Sequence, residues 1–257
     1  MRHSTDTGSR GGSEPVGVVT EATSLLIGDR MTGGYATGAD ILHACTVAVA
    51  PGEITVIVGP NGAGKSTAMK AVFGVLRLRE GAVRLDGEDI TALTPQARVA
   101  RGMAFVPQTG NVFPSMSVEE NLEMGAFLRR DDIRGTMEQV YDLFPVLGAK
   151  RHQDAGELSG GQRQQVAVGR ALMTQPRVLM LDEPTAGVSP IVMDELFDRI
   201  IEIARTGVSV MMVEQNARQA LEVADTGYVL VQGANAYTGT GSALLADPDV
   251  RKSFLGG

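Results

Sequence analysis

The sequence predicts an α/β fold in which a largely parallel sheet is covered by helices. Three observations carry this expectation. Short apolar runs (RVLML, VSVMMV, GYVLV) alternate with helix-period segments (GRALM, IVMDELFDRIIEIA, ARQALEVA) in the second half of the chain. In the first half, the apolar run ITVIV leads directly into GPNGAGKST and a helical stretch reaching about Gly74. Between these halves, residues from about 109 to 158 read as helices with no clear strand among them, which marks a helical insertion into the α/β core.

The elements follow in order. Residues 1–21, opening MRHSTDTGSRGGSEP, are polar and rich in Gly and Ser, and they are expected to be a disordered tail without a secretory signal. Residues 22–257 then form one domain. From Ser24 to Val58 the pattern is strand-like, and ILHACTVAVA puts Ile41, His43, Cys45, Val47 and Val49 on one face by strict alternation. Pro51-Gly52 turns the chain into ITVIV, and Asp86-Gly87 within GAVRLDGEDI is a hairpin signal. SVEENLEMGAFLRR and MEQVYDLFPVL are the helical segments of the insertion.

Composition excludes several classes. The chain has 257 residues, 43% hydrophobic and 21% charged, enough to bury a sizeable core. A net charge of −7 with mixed signs argues against a nucleic-acid partner, which needs a basic face. Cys45 is the single cysteine, so no intrachain disulfide forms and a reducing compartment fits. No apolar run approaches the ~18 residues needed to span a bilayer, so any membrane association runs through a partner.

GPNGAGKS, Gly59 to Ser66, satisfies G-x-x-x-x-G-K-[ST] and lies between a strand and a helix, as a phosphate-binding loop requires. In that context Gly59, Pro60, Asn61, Gly62, Ala63 and Gly64 turn backbone N–H groups toward nucleotide phosphates at a helix N-terminus. Lys65 reaches the β- and γ-phosphates, the Ser66 hydroxyl ligates Mg²⁺, and Thr67 adds a further phosphate contact. RVLMLDEP ends a buried strand with Asp182, placed to act on Mg²⁺ through a water, and Glu183, placed to activate the attacking water. Taken alone, two adjacent acids also suit a helix cap; beside a phosphate loop they suit phosphoryl chemistry.

LSGGQRQQ raises a separate question. Ser159 caps a helix and Gln162 completes a capping box, yet the two positions between them are Gly160 and Gly161. Each glycine costs about 1 kcal/mol of helix propensity against alanine. Bare glycines at a helix N-terminus let an anion come close to free N–H groups, which would justify that cost. GPNGAGKS, Gln108, LSGGQ and LMLDE in this order and spacing resemble the ATP-binding-cassette ATPases, over nearly all of the chain from about residue 22. The resemblance implies a P-loop NTPase core with a mixed sheet, an N-terminal antiparallel β subdomain, and a helical subdomain at about 109–158. It implies ATP and Mg²⁺ as ligands. It also implies a second ATPase subunit, identical or paralogous, whose signature residues Ser159, Gly160, Gly161 and Gln162 act in trans on the nucleotide. Tyr35 matches the aromatic residue that stacks on adenine, with a surface-turn tyrosine as the alternative. Gln108 matches the glutamine that contacts Mg²⁺ and senses the γ-phosphate. AGVSP, Ala186 to Pro190, resembles the loop that crosses to the partner, without its usual aspartate.

One departure stands out. After VSVMMV, where most members carry a histidine facing the γ-phosphate, this chain has Glu214-Gln215-Asn216. Gln215 donates a hydrogen bond and carries no charge. VEQNA nevertheless resembles one of the ATPases of branched-chain amino-acid importers, so Gln215 joins Glu183 as a catalytic candidate. The resemblance implies membrane permease subunits as partners and a cytoplasmic, peripheral location on the inner face of the plasma membrane. The permease would dock beside Gln108, where Val112, Phe113, Met116, Met124 and Phe127 offer apolar surface. Two alternatives stay open: the ATPase of a urea or short-chain amide importer, and a nucleotide switch outside transport.

Overall fold

The computed structural model describes residues 21–35 and 38–254; the tail expected at 1–21 lies, apart from Glu21, outside the described residues. Two sheets carry the architecture. Strands β1 (Leu26–Gly33), β2 (Leu42–Val49), β4 (Glu80–Leu85) and β5 (Glu88–Asp89) form an antiparallel sheet in the order β2-β1-β4-β5. A six-stranded sheet has the order β10-β9-β3-β8-β7-β6, built from β3 (Ile54–Val58), β6 (Met103–Val106), β7 (Val178–Asp182), β8 (Ser209–Val213), β9 (Thr226–Val231) and β10 (Ala234–Thr240). All its pairings are parallel except β10 on β9, so the sheet is mixed. The chain thus has the P-loop NTPase fold that its sequence predicts.

The unbroken apolar runs are explained by burial on both faces. In β7, Leu179 and Leu181 face one core while Val178 and Met180 face the other. In β8, Val210 and Met212 divide from Met211 and Val213 in the same way. The second core is closed by helix α1 (Lys65–Phe73) and the antiparallel sheet, through Met69, Val72, Met31 and Val47. The first is closed by α6 (Gly160–Leu172), α7 (Pro190–Arg205) and α8 (Ala217–Glu222), with α9 (Gly241–Ala246) and α10 (Pro248–Phe254) at the end of the chain.

Between β6 and α6 lie α3 (Val118–Gly125), α4 (Arg134–Leu143), α5 (Pro145–Ala149) and a short 3₁₀ turn (Ala155–Glu157); α2 (Pro95–Val99) precedes β6. Ser117 caps α3 in a capping box with Glu120, and Pro145 divides the MEQVYDLFPVL segment into two helices. The Asp86-Gly87 turn is present, both residues having positive φ.

Strict alternation in β2 is wrong, however. Cys45 is buried but His43 and Ala44 are exposed. A bulge falls here, with Met31 opposite Cys45 and Gly33 opposite Leu42, and Ala44 takes the left-handed φ of +51°. The extra residue shifts the pleat, so Ile41 and His43 do not share the Cys45 face.

Arg98 of α2 is among the largest fully buried side chains. Its guanidinium donates to the carbonyls of Ala71 and Val72 at the C-terminal end of α1, and to Leu93 and Thr91. A cation at a helix C-terminus complements the dipole and satisfies carbonyls that the helix leaves open. Burial lowers its pKa to about 10. Arg98→Met should lower the stability of the domain by about 3 kcal/mol, because several buried carbonyls lose a charged donor. Urea unfolding of the two proteins checks this.

Candidate functional site

The C-terminal ends of β3, β7 and β8 sit side by side, since Leu181 pairs with Met212, and Ile57 with Val213. The phosphate loop leaves β3 at Gly59, whose φ of +146° and proximity to β9 exclude a side chain: a Cβ there would lie 2.2 Å from the Leu230 carbonyl oxygen. The Gly233 N–H, in the β9–β10 turn, donates to Ala63 O at 3.0 Å and braces the loop. Helix α1 starts after left-handed Gly64 with no side-chain cap, so its N-terminal N–H groups are left for an anion. Lys65 is 5% exposed, and its Nζ donates to Gly59 O at 2.8 Å and Pro60 O at 3.2 Å. Burial lowers the Lys65 pKa, opposed by the carboxylates of Glu183, Asp182 and Glu214.

Ser66 Oγ donates to Asp182 Oδ1 at 2.7 Å. This places two hard oxygen donors together at the end of the loop. Such a donor set suits Mg²⁺, which takes one or two protein oxygens and completes its shell with phosphate and water. Glu183 follows in a left-handed conformation (φ +50°), its N–H donating to Val213 O at 2.9 Å. Gln108, exposed just after β6, donates its amide to Glu183 Oε2 at 2.6 Å. Gln215 and Glu183 line one cavity of 320 Å³ together with Thr185–Val188, Met193 and Glu214.

Sequence reasoning assigned no part to Glu214, although an acid directly after a buried strand was the available signal. It is 1% exposed and accepts from Thr185 N at 3.1 Å, Thr185 Oγ1 at 2.8 Å and Gln215 N at 3.2 Å. Burial raises its pKa to about 7 against the lowering effect of these bonds.

Ser159 and Gln162 form the expected capping box at the start of α6, with Ser159 Oγ accepting from Gln162 N at 3.3 Å. Gln162 Oε1 in turn accepts from Ser159 N and from Lys150. The two glycines separate in cause. A Cβ on Gly161 would meet Val192 Cγ1 of α7 at 2.3 Å, so this glycine is required by packing within the chain. Gly160 is exposed, and a Cβ there would approach only Gly187 O, at 3.9 Å. Gly161 therefore has a packing cause within its own chain in addition to any role toward an anion, whereas Gly160 has none. No hydrogen bond joins the signature to the phosphate loop among the described residues.

Tyr35 is 48% exposed, with Lys70 Nζ of α1 3.4 Å from its hydroxyl and 5.8 Å from its ring centre. Its ring is therefore available beside the helix that follows the phosphate loop.

Residues 42–186 match the family model described as ABC transporter. The chain belongs to the ABC transporter family. It is 44% identical over 217 residues to the high-affinity branched-chain amino acid transport ATP-binding protein BraG of Pseudomonas aeruginosa, covering 84% of this chain and 93% of that one. It is 42% identical over 206 residues to the probable branched-chain amino acid transport ATP-binding protein LivF of Archaeoglobus fulgidus, covering 79% and 87%. Similarity to the lipopolysaccharide export ATP-binding protein LptB of Escherichia coli is lower, 34% over 224 residues, covering 85% and 92%. Among solved structures, the ADP conformation of the ABC transporter cassette MJ1267 superposes with a TM-score of 0.82 at 28% identity, covering 91% of this chain and 99% of that one. The cassette of this family is an ATPase, and the site just described is where its nucleotide chemistry is to be sought.

Two expectations follow for the cassette. Gly161→Ala should destabilise it by about 1–3 kcal/mol, since Val192 has to give way, while Gly160→Ala should leave stability equal or slightly higher; thermal midpoints of both variants decide. The second concerns Glu214, whose pKa burial raises to about 7, well above the ordinary glutamate range. Above pH 7 its burial is a full cost to stability, relieved as the native carboxyl takes up a proton between pH 7 and 4.5. From pH 8 to pH 6 the wild type should therefore gain stability relative to Glu214→Gln, by at most ~1.4 kcal/mol per pH unit. Denaturant titrations across that range measure the difference.

Proposed function

We propose that this chain is the ATP-hydrolysing subunit of an importer for branched-chain amino acids. The observation that carries the substrate class is the pair of relatives at 44% and 42% identity, both matched over most of their length. The likeness to LptB supports the ATPase and carries the substrate no further.

In this reading the N–H groups at the start of α1 and Lys65 bind the triphosphate, and Tyr35 stacks on the adenine. Ser66 and Asp182, the latter through a water, hold Mg²⁺ with Gln108; bound there, the ion neutralises charge on the β- and γ-phosphates. Glu183 orients a water and accepts its proton as the water oxygen bonds to the γ-phosphorus and the bond to the β–γ bridging oxygen breaks. Gln215 donates its amide hydrogen to a γ-phosphate oxygen, a neutral contact where most members use a titratable ring. The Gln108 amide nitrogen occupies Glu183 Oε2, so its carbonyl oxygen is the atom to face the ion.

The phosphate site needs a wall opposite the loop to close over nucleotide. We assign that wall to Ser159, Gly160, Gly161 and Gln162 of a second cassette, arranged head to tail. The open surface at Gly160, which nothing in its own chain requires, supports this reading. Each nucleotide then bridges two subunits, and its binding favours the closed pair.

Permease subunits supply the membrane passage, and no helix among the described residues is long and apolar enough to cross a bilayer. Phe113, Met124, Phe127 and Leu128 are exposed on or beside α3, Phe127 at 77%, and they form the apolar face on which a permease helix would dock. Val112 and Met116 are half-buried and contribute less. The location that follows is peripheral, on the cytoplasmic face of the membrane. The unit of function is then 22–257, with 109–158 moving as the helical subdomain.

The test uses the chain assembled with its permease in proteoliposomes. Glu183→Gln should lower ATP turnover by about 100-fold or more while ATP is still bound, and leucine uptake should stop with it. Turnover near the wild-type rate would remove Glu183 from its role. ATP-driven uptake of urea or short-chain amides in place of leucine, isoleucine and valine would overturn the substrate class.

A further inference from the structure

We propose that Glu214 is a positioning residue for ATP hydrolysis: its carboxylate ties Thr185, two residues beyond Glu183, to the backbone of Gln215, and so fixes both the group that acts on the attacking water and the group that contacts the γ-phosphate. The inference rests on the hydrolysis site proposed above and adds to it a residue that never touches nucleotide.

Three observations converge on Glu214. One is connectivity. Oε1 receives the Thr185 N–H at 3.1 Å, while Oε2 receives both the Thr185 hydroxyl at 2.8 Å and the Gln215 N–H at 3.2 Å. A single side chain thus spans from the loop after β7 to the loop after β8. The next is the conformation that it stabilises. Glu183 sits at φ +50°, a region that a side chain of its size seldom occupies, and such backbone persists only when its surroundings over-determine it. The Glu183 N–H is held by Val213 O, and the Glu183 carbonyl accepts from Ala186 N at 3.1 Å. Thr185, between these two anchors, is 5% exposed and held by Glu214 from the side. Without that hold, the turn Glu183–Ala186 keeps its backbone bonds and the Gln108 bond to the Glu183 side chain.

The third observation is chemical economy. Burying a carboxylate is unfavourable, and the three donors that Glu214 meets are all neutral. A residue selected for stability alone would not take this form, since a well-packed neutral side chain holds two loops at lower cost. What the ionised carboxylate provides, above its pKa, is acceptor capacity: it takes three hydrogen bonds and has no donor to misdirect. Glutamine at this position would have to turn its NH₂ group toward at least one backbone N–H.

The experiment compares Glu214→Gln, Thr185→Val, Thr185→Ser and Glu183→Gln in the transporter reconstituted with its permease, reading kcat and KM for ATP, with thermal midpoints as the check on folding. The expected result for Glu214→Gln and Thr185→Val is a fall in kcat of about 10–100-fold with KM for ATP within about threefold of wild type. Thr185→Ser, which keeps the hydroxyl, should restore most of kcat. Wild-type kcat in both Glu214→Gln and Thr185→Val overturns the proposal. So does a fall in kcat that Thr185→Ser shares fully with Thr185→Val, or a loss of ATP affinity equal to the loss of kcat. If Glu214→Gln does not fold, the two Thr185 variants decide by the same criteria. Glu183→Gln separates the two levels: if it retains turnover, the hydrolysis site itself is misassigned; if it is inactive while the Glu214 and Thr185 variants hydrolyse normally, only the positioning role falls.

Discussion

The parallel ladder that joins β3, β8 and β7 does not stop at the strand ends. Past β7, the Glu183 N–H donates to Val213 O at 2.9 Å, and past β8 the Glu214 N–H donates to Ile57 O at 3.2 Å. These two bonds carry the sheet register into the loops, so the distance between neighbouring strands also sets the spacing of the groups proposed to act on phosphate. Lys65, Asp182, Glu183 and Gln215 come from three separate stretches of sequence, and the ladder is what makes their separation reproducible. A parallel sheet buried on both faces resists sliding, because a shift of one residue would exchange the two apolar cores. Rigidity of the site is therefore inherited from the core.

The parts of the molecule legible in the sequence are those where local chemistry and tertiary demand agree. Runs such as VLML and VMMV are apolar on every residue because both faces are covered, and their length already excluded helices of ordinary size. Ser159 caps a helix in the structure as its spacing to Gln162 required. The bulge at Ala44 was not legible, because the residues around it are ordinary strand formers and only the pairing with β1 shows the extra residue. Nor was β10, whose sequence ANAYTGT is half-buried and weakly patterned; it is a strand because β9 offers an edge and Gln232-Gly233 turns the chain back onto it.

At the site the same division holds. The phosphate loop and the Asp182-Glu183 pair are contiguous motifs whose chemistry is written in neighbouring residues. Glu214 is different: its importance lies in what it reaches, Thr185, 29 positions away. No spacing rule announces such a bond. The two signature glycines add a further lesson, since one local anomaly has two causes. Gly161 answers to Val192 within the same chain, and Gly160 answers to nothing in it. Propensity alone registers both as equal costs, and only packing tells them apart.

The segment after β6 shows how a change at the phosphate reaches the helical insertion. Gln108 is bonded to Glu183, and three residues later Asn111 donates to Gln164 Oε1 at 2.7 Å, on the helix that begins at the signature. Asn121 of α3 anchors the following residues through the N–H and carbonyl of Phe113. Arg170, also on α6, lies 4.8 Å from the Phe113 ring centre. If Gln108 moves toward an arriving γ-phosphate, as proposed above, the pull passes through Thr109-Gly110 to residues that α3 and α6 hold. Either those bonds stretch or the helices follow. Hydrogen bonds with buried partners, such as Gln164 and Asn121, are costly to break, which in the proposed cycle favours motion of the helices. The exposed apolar residues Phe113, Met124 and Phe127 lie on this same segment and on α3 or beside it, so the proposed permease surface is bonded to the proposed hydrolysis site through α3 and α6.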